Sequence, residues 1–401
     1  MKTSKILSAL FIISLPFQEN IYVGGLSISF ILMSVLSLYV FFTHLGNFNF
    51  IVKHSKIFRY FFVFLIGIAV IEFFHPNSAL KNIFRSFFFI IGSVLLATLL
   101  INKNGIRFIA QMYVISGLLV AFNLVYNGYG LLLNGQATST YESNLVRDQI
   151  GKEVSILQDL NNLAFNLGLS ALMASGFIIF SKEKKNRKYF VIVLVITFIG
   201  MIVTMSRGAL LTVIVTILFF SFYFKIGGVK KFLIPIIFAS LILYLVPATY
   251  FSRFNIDLSR NASESDARSL VFNASTNAIL EEGLFGVGEG NFWSEWGRNS
   301  EFARDGWNRV RVLGTHNLFF QIIINWGIIG FALFSLVLSK VYSFMPKRTD
   351  ITLDSFLFVV IFVSGLLYMA QIHNLNTKDF MILFSVGIIQ EMEKRINIIK
   401  S

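Results

Sequence analysis

The sequence predicts an all-α integral membrane protein of about twelve transmembrane helices, with both termini in the cytoplasm. Three observations predict it. Of 401 residues, 55% are hydrophobic and only 14% are charged, where soluble domains carry about 25% charged residues. Apolar stretches of membrane-spanning length recur along the chain. Lys and Arg gather in alternate connections between those stretches, as cytoplasmic loops do. A chain with 46 Phe and so few charges cannot cover a globular surface with polar groups, which excludes a soluble enzyme and a disordered chain. The absence of cysteine excludes disulfides, thiolate metal sites, iron–sulfur clusters and a cysteine nucleophile.

The first stretch, 5–18, follows Lys2 and Lys5 as a signal peptide would. No small-residue cleavage pattern succeeds it, and Pro16-Phe17-Gln18-Glu19 leads straight into the next span, so it is expected to stay as a helix. Further spans centre on 24–42, 58–74, 83–101 and 107–126. After a polar segment at 127–159 come 160–180, 189–205, 208–224 and 232–248. A long polar loop, 249–315, separates these from 316–339, 355–371 and 379–390. The organisation is therefore residues 1–248 with nine helices, the loop at 249–315, and residues 316–401 with three more. No internal repeat is visible, which argues against an inverted-repeat transporter.

With the N-terminus inside, the inner segments hold 21 of the 34 basic residues and 5 of the 21 acidic ones. The net +13 of the chain is thus a topology signal, and no nucleic-acid partner is implied. Both polar segments, 127–159 and 249–315, fall outside.

The long loop contains seven Arg, at 253, 260, 268, 298, 304, 309 and 311, and no Lys. Arg offers a planar fork that holds phosphate or carboxylate bidentately; pairing with the nine acids of the loop is the plainer role for any one of them. Trp293, Trp296 and Trp307 are three of the four Trp in the chain. Beside Arg they suit stacking on sugar rings, and equally a membrane-interface belt; Trp307 suits the belt better. Ser263-Glu264-Ser265-Asp266 opens a helix with a capping pattern, followed by Ala267, Leu270, Val271, Ala274 and Ala278 at helical spacing and ended by Gly283. Arg268 lies in its first turn, near the end of the dipole that favours anions. Gly286-Val287-Gly288-Glu289-Gly290 then fits either a phosphate cradle or a tight turn that lets the loop pack closely.

Three ionisable residues sit at outer span ends: Arg207 in Thr204-Met205-Ser206-Arg207-Gly208, His316 in Gly314-Thr315-His316-Asn317, and His373 in Gln371-Ile372-His373-Asn374. Charge there is costly and often functional, although snorkelling and helix capping are the alternatives. Arg207 and Arg268 could neutralise a diphosphate, and an imidazole could take a proton from a hydroxyl. No carboxylate cluster on that face has metal-ligand spacing, so guanidinium groups would do the work of a metal and no cofactor is implied.

These residues resemble the O-antigen polymerase and O-antigen ligase superfamily of bacterial envelopes. The likeness rests on Thr204-Met205-Ser206-Arg207-Gly208-Ala209-Leu210; on Asp266-Ala267-Arg268-Ser269 followed by Gly283-Leu284-Phe285-Gly286-Val287-Gly288-Glu289-Gly290-Asn291-Phe292; and on Thr315-His316-Asn317-Leu318-Phe319-Phe320-Gln321 followed by Trp326-Gly327-Ile328-Ile329-Gly330-Phe331. Together they cover about residues 200–335. The resemblance implies a GT-C-like glycosyltransferase of the inner membrane, active on its periplasmic face. Its donor would be a glycan on undecaprenyl diphosphate, and its acceptor another repeat unit or the lipid A-core. Metal-independent, inverting transfer is implied too. Carried over, Arg207 and Arg268 would bind the diphosphate and stabilise the leaving group. His316 would be the general base or would position the acceptor hydroxyl, and Asn317 would orient His316 or a sugar. Arg309, Arg311 and Trp293 are further candidates for substrate contacts.

The motifs do not separate polymerase from ligase. Asp159-Leu160-Asn161-Asn162-Leu163-Ala164 resembles a stretch of polysaccharide polymerases and leans that way; an ordinary polar start of a span is the alternative. A polymerase would be expected to work with a chain-length regulator. A transporter would need charge near the bilayer midplane, and Glu72 and Arg85, the nearest cases, lie near outer span ends. A structural assembly factor would not need Arg207, Arg268 and His316 on one face.

Overall fold

The computed structural model describes residues 2–17, 22–23, 26–75, 80–101, 104–134, 140–153, 160–181, 183–224, 275–276, 278–280, 282–289, 317–349, 352–371 and 379–400. Among them the helices are α1 (Lys2–Ser14), α2 (Ile28–Thr43), α3 (Leu45–His54), α4 (Lys56–Phe73), α5 (Leu80–Leu100), α6 (Gly105–Asn134), α7 (Thr140–Glu153), α8 (Leu160–Phe180), α9 (Lys184–Val203), α10 (Arg207–Tyr223), α11 (Leu318–Tyr342), α12 (Leu353–Met369) and α13 (Asp379–Lys400). The one extended element among the described residues is a two-residue antiparallel pairing, Tyr22–Val23 with Leu26–Ser27.

The protein is an all-α membrane protein. The helices α6, α8, α9 and α11 are long and apolar enough to cross a bilayer, and α2 with α3 would make a fifth as one bent span. α1, α10, α12 and residues 90–100 of α5 are apolar but shorter. The shortfall against twelve has visible causes. α4 carries Lys56, Arg59 and Glu72 within its 18 residues, α13 ends in a charged turn, and the expected span 232–248 lies outside the described residues. The outer segment expected at 127–159 is more ordered than its composition suggests. α6 continues through Asn134, with Gly128 packed against Val203 and Ile150, and α7 follows.

The chain divides into two compact units, Met1–Leu45 with Leu95–Leu258 and Met345–Tyr368, and Gly46–Val94 with Ser259–Phe344 and Met369–Ser401. In the first unit α8 is central and buried nearly all round, packed mainly on α9, α6 and α10. Small residues let these helices approach, as membrane packing favours: Gly117 lies against Ser170 and Gly200 against Ala121. Ser170 donates to the Tyr113 carbonyl at 3.1 Å. Arg107 at the start of α6 forks onto Asp354 at the start of α12, at 2.7 and 2.8 Å. The Tyr223 hydroxyl donates to the Pro346 carbonyl at 2.6 Å.

In the second unit α4 and α11 run antiparallel. Phe64 meets Phe334 and Trp326, Gly67 lies against Leu333, and Phe61 stands edge-on to Phe384 of α13 at 4.4 Å. A carboxylate closes the start of α4. Ser55, its N-cap, accepts from Phe58 N–H at 3.1 Å. Glu391 of α13, fully buried, accepts from the Ser55 hydroxyl at 2.7 Å and from the Lys56 and Ile57 amides at 2.7 and 3.1 Å. Those amides belong to the first turn, which has no intrahelical acceptor. Glu391→Ala should therefore cost about 2–4 kcal/mol through orphaned buried donors, and Ser55→Ala about 1 kcal/mol. Thermal unfolding in detergent checks the order: Glu391→Ala must melt below Ser55→Ala.

Candidate functional site

Arg207 opens α10, half-buried, directly after a tight turn from α9. The turn is held at every residue. The Thr204 hydroxyl donates to the Met201 carbonyl at 2.6 Å and accepts from Ser206 N–H at 3.3 Å. Met205, buried, takes the left-handed conformation with φ 53, which costs a side-chain-bearing residue about 1–2 kcal/mol. Such strain persists only where the surroundings over-determine it. Here they include Arg147 of α7, whose Nε–H donates to the Thr204 carbonyl at 3.1 Å and whose Nη2 donates to Asn161 Oδ1 at 2.8 Å. Asn161 Oδ1 also accepts from the Ser206 hydroxyl at 3.3 Å. Ser206 is the N-cap residue of α10 but makes no side-chain capping bond; its hydroxyl is turned to Asn161 instead. The positive end of the α10 dipole thus carries Arg207 and no side-chain cap, a combination that favours an anion.

The neighbouring Asn162 accepts from the Tyr368 hydroxyl of α12. The Tyr368 ring stacks on Phe165 with centroids 3.8 Å apart. The Asp159–Ala164 stretch therefore contributes both of its Asn to polar ties at the same end of this unit as Arg207. Arg147 was missed by sequence reasoning. Its one signal is that 127–159 holds no basic residue besides it and Lys152.

Asn317 lies in the other unit. It is the N-cap of α11, and its Oδ1 accepts from Phe319 and Phe320 N–H at 3.0 and 3.2 Å. Its side-chain oxygen is thereby used for capping. Ten residues on, α11 breaks at Gly327 (φ 65, ψ −170). An unbroken helix would bond Ile328 to Ile324 and Ile329 to Asn325. Here Ile328 N–H donates to Gly283 O at 2.8 Å and Ile329 N–H to Leu284 O at 3.4 Å, while Val287 and Gly288 N–H donate to Ile324 and Asn325 O at 2.8 and 2.9 Å. Two helical rungs are exchanged for four bonds to the glycine-rich segment. Glycine is required at the contact: a Cβ on Gly327 would lie 2.2 Å from Leu284 O, and one on Gly286 (φ 74) 2.5 Å from Ile324 O. Of the two readings open for Gly286–Gly290, close packing is the one this geometry supports, since the Val287 and Gly288 amides are committed to carbonyls.

Glu72, 2% exposed, sits at this junction. Its Oε1 accepts from Trp326 Nε1 at 2.7 Å and from Glu289 N–H at 2.8 Å. The residues just before Gly283 are helical at 275–276, 278–280 and 282. Arg268, His316, Arg309, Arg311 and Trp293 lie outside the described residues, as does His373; so does the side chain of Arg85. Of the expected site residues, Arg207 and Asn317 are described, one in each unit. Among the described residues no group of His, Asp and Glu is arranged to hold a metal ion.

The family model described as O-antigen ligase matches residues 192–335. That stretch, about a third of the chain, is similar to the O-antigen ligase family. The domain takes in the Arg207 turn, the long loop, the Asn317 cap and the break at Gly327. It therefore contains both halves of the backbone exchange, which explains why the Gly283–Phe292 and Trp326–Gly330 motifs occur together. Family members are glycosyltransferase-like ligases and polymerases. No curated protein matches the chain.

Two outcomes test the site. Gly327→Ala and Gly286→Ala must each lower thermal stability by more than the roughly 1 kcal/mol of a left-handed alanine, because the backbone at 2.2–2.5 Å has to move. Arg147→Ala must loosen the Met205 turn, read as faster limited proteolysis between α9 and α10 than in the parent protein; parent-like cleavage would show the turn holds without it.

Proposed function

We propose that the protein is a polymerase of O-antigen or a related polysaccharide, joining repeat units carried on undecaprenyl diphosphate at the periplasmic face of the inner membrane. The observation that carries this reading is the Arg207 turn: a guanidinium at an uncapped helix start, inside the matched domain and braced by Arg147, Asn161 and Ser206. In the reaction an acceptor hydroxyl attacks the anomeric carbon of the donor. The bond from that carbon to phosphate breaks, and undecaprenyl diphosphate leaves with the electron pair. Arg207 and Arg268 stabilise the charge growing on the diphosphate, where a low dielectric strengthens the interaction. His316 takes the hydroxyl proton, and Asn317 holds the start of α11 beside it. Arg309, Arg311 and Trp293 bind sugar or phosphate. The chemistry as proposed runs without a metal, and a chain-length regulator would be a natural partner.

Twelve spans with cytoplasmic termini remain the proposed topology. Supporting it, the polar ties inside each unit join segments that the charge count puts on one side. Arg107 with Asp354, Tyr223 with Pro346 and Ser55 with Glu391 are inner pairs; Arg147 with Thr204 and Asn161, Asn162 with Tyr368, and Glu72 with Glu289 are outer pairs. An alternation wrong by one span would set such partners on opposite faces. The engagement of Asn161 favours the polymerase reading, because it ties the polymerase-like stretch to the Arg207 turn through Ser206 and Arg147. The alternative is a ligase that transfers the glycan to lipid A-core, favoured by the description of the matched family. An envelope glycan transporter is a more distant alternative.

The test is a gel of surface lipopolysaccharide from a strain lacking the gene, beside its lipid-linked glycan pool. Core bearing a single repeat unit is expected. Bare core with long chains held on undecaprenyl diphosphate would replace polymerase by ligase, and an unchanged ladder would contradict both. Complementation with Arg207→Ala, Arg268→Ala or His316→Ala at equal expression should fail, each loss being about a hundred-fold or more in rate.

A further inference from the structure

We infer that Glu72 is a positioning residue for glycan transfer: through Trp326 it helps to set the orientation of the first half of α11, Leu318–Trp326, which Asn317 caps. The inference rests on the function proposed above and assigns a role to a residue outside the matched domain.

The argument begins with the break. Within an intact helix, one end orients the other through its ladder. At Gly327 the ladder is interrupted, so at the break the half from Leu318 to Trp326 is held to the half that follows by side-chain contacts, such as Phe319 edge-on to Phe331, in place of two backbone rungs. The lower half is anchored by its packing on α4, through Phe334 on Phe64 and Leu333 on Gly67. α4 ends at Phe73, and its Glu72 reaches Trp326. The upper half is oriented by its own packing, with Leu318, Ile322 and Ile324 buried and Phe319 on Phe331, together with a set of ties at its base. Those are the backbone bonds to Val287 and Gly288 and the indole bond to Glu72.

Glu72 is the common point of that set. One oxygen, Oε1, receives both the Trp326 indole and the Glu289 amide, so the end of the glycine-rich segment and the end of the half-helix are pinned to a single atom. Trp326 is itself 2% exposed, which leaves its ring little freedom. The other oxygen, Oε2, is buried and makes no hydrogen bond among the described residues. Burying a carboxyl group is costly, yet Glu72 sits at the outer end of a spanning helix where an apolar residue would pack at no such cost.

The lever is long enough to matter. Nine helical residues extend about 13 Å. A tilt of about 10° at Trp326 would move the Asn317 end by about 2 Å, and a displacement of about 1 Å at a reacting centre costs on the order of a hundred-fold in rate. Glu72 touches neither donor nor acceptor in this account. It acts on the proton-accepting side of the site, so its loss should lower kcat while the KM for the lipid-linked donor stays put.

The experiment uses the full-length protein in lipid nanodiscs with isotope-labelled tryptophan, a lipid-linked repeat unit as substrate, and Glu72→Ala, Glu72→Gln and Trp326→Phe. With only four Trp in the chain, Trp326→Phe assigns the Trp326 indole resonance by its disappearance. Expected for Glu72→Ala are a shifted indole resonance, a kcat lower by about ten-fold or more, and a donor KM within about two-fold of the parent. Glu72→Gln keeps an acceptor oxygen and should restore kcat to within about three-fold. A shifted resonance with parent-like kcat would overturn the inference, as would a lost kcat with an unmoved resonance, or a Glu72→Gln as inactive as Glu72→Ala. If Glu72→Ala does not fold, Trp326→Phe decides: it removes the indole donor while leaving a smaller aromatic ring, and a parent-like kcat there would overturn the inference. A parent protein that transfers nothing would refute the proposed function itself, a result distinct from any failure of Glu72.

Discussion

A helix that breaks within a membrane protein must have its freed backbone groups satisfied by protein, because hydrocarbon offers no partner. That constraint organises the junction of α11 with the glycine-rich segment in the second unit. At Gly327 the ladder of α11 opens, and the segment from Gly283 to Gly288 supplies what is missing. The exchange is complete in both directions, with carbonyls of the helix taking amides of the loop and amides of the helix taking carbonyls of the loop. It needs backbone against backbone, and so it needs glycine at Gly286 and Gly327. The buried carboxyl of Glu72 then closes the joint by engaging the last residue of each partner.

The first unit meets the same demand by a different route. Its turn between α9 and α10 is too short for a second segment to pair with, so side chains satisfy the backbone. The Thr204 hydroxyl bridges within the turn, and Arg147 reaches from α7 to the Thr204 carbonyl. The strain at Met205 is the cost of setting Ser206 and Arg207 at the start of α10. Ser206, turned to Asn161, does not cap that helix start. Both units thus put a candidate site residue at a helix beginning, Arg207 in one and Asn317 in the other.

Much of this was legible in the sequence. Helical class and membrane character follow from composition and apolar run length, and Arg207 stood out as a charge in a short turn between two apolar stretches. The expected helix end at Gly283 falls where the chain turns. What could not be read were pairings between residues far apart in the chain. Glu72 and Trp326 are 254 positions apart, and Arg147 and Thr204 are 57 apart; no local pattern marks either. The glycine-rich segment was ambiguous because a phosphate cradle and a close-packed turn need the same residues, and only the partner of each amide separates them. α7 and the extension of α6 went unseen because their helical state depends on packing, at Gly128 against Val203 and Ile150, more than on apolar periodicity.

The central proposal is the topology in which the charge count puts the Arg207 turn and the start of α11 both on the periplasmic side. The chain has no cysteine, so single substitutions report sidedness without background. Gln149→Cys in α7 and Glu282→Cys beside the glycine-rich segment are exposed positions at the proposed outer ends; Lys184→Cys and Thr352→Cys are exposed positions at the proposed inner ends. A membrane-impermeant maleimide added to intact spheroplasts should label the first pair at once and the second pair only after permeabilisation. Labelling of Gln149→Cys and Glu282→Cys from opposite sides would separate Arg207 from Asn317 and contradict the account.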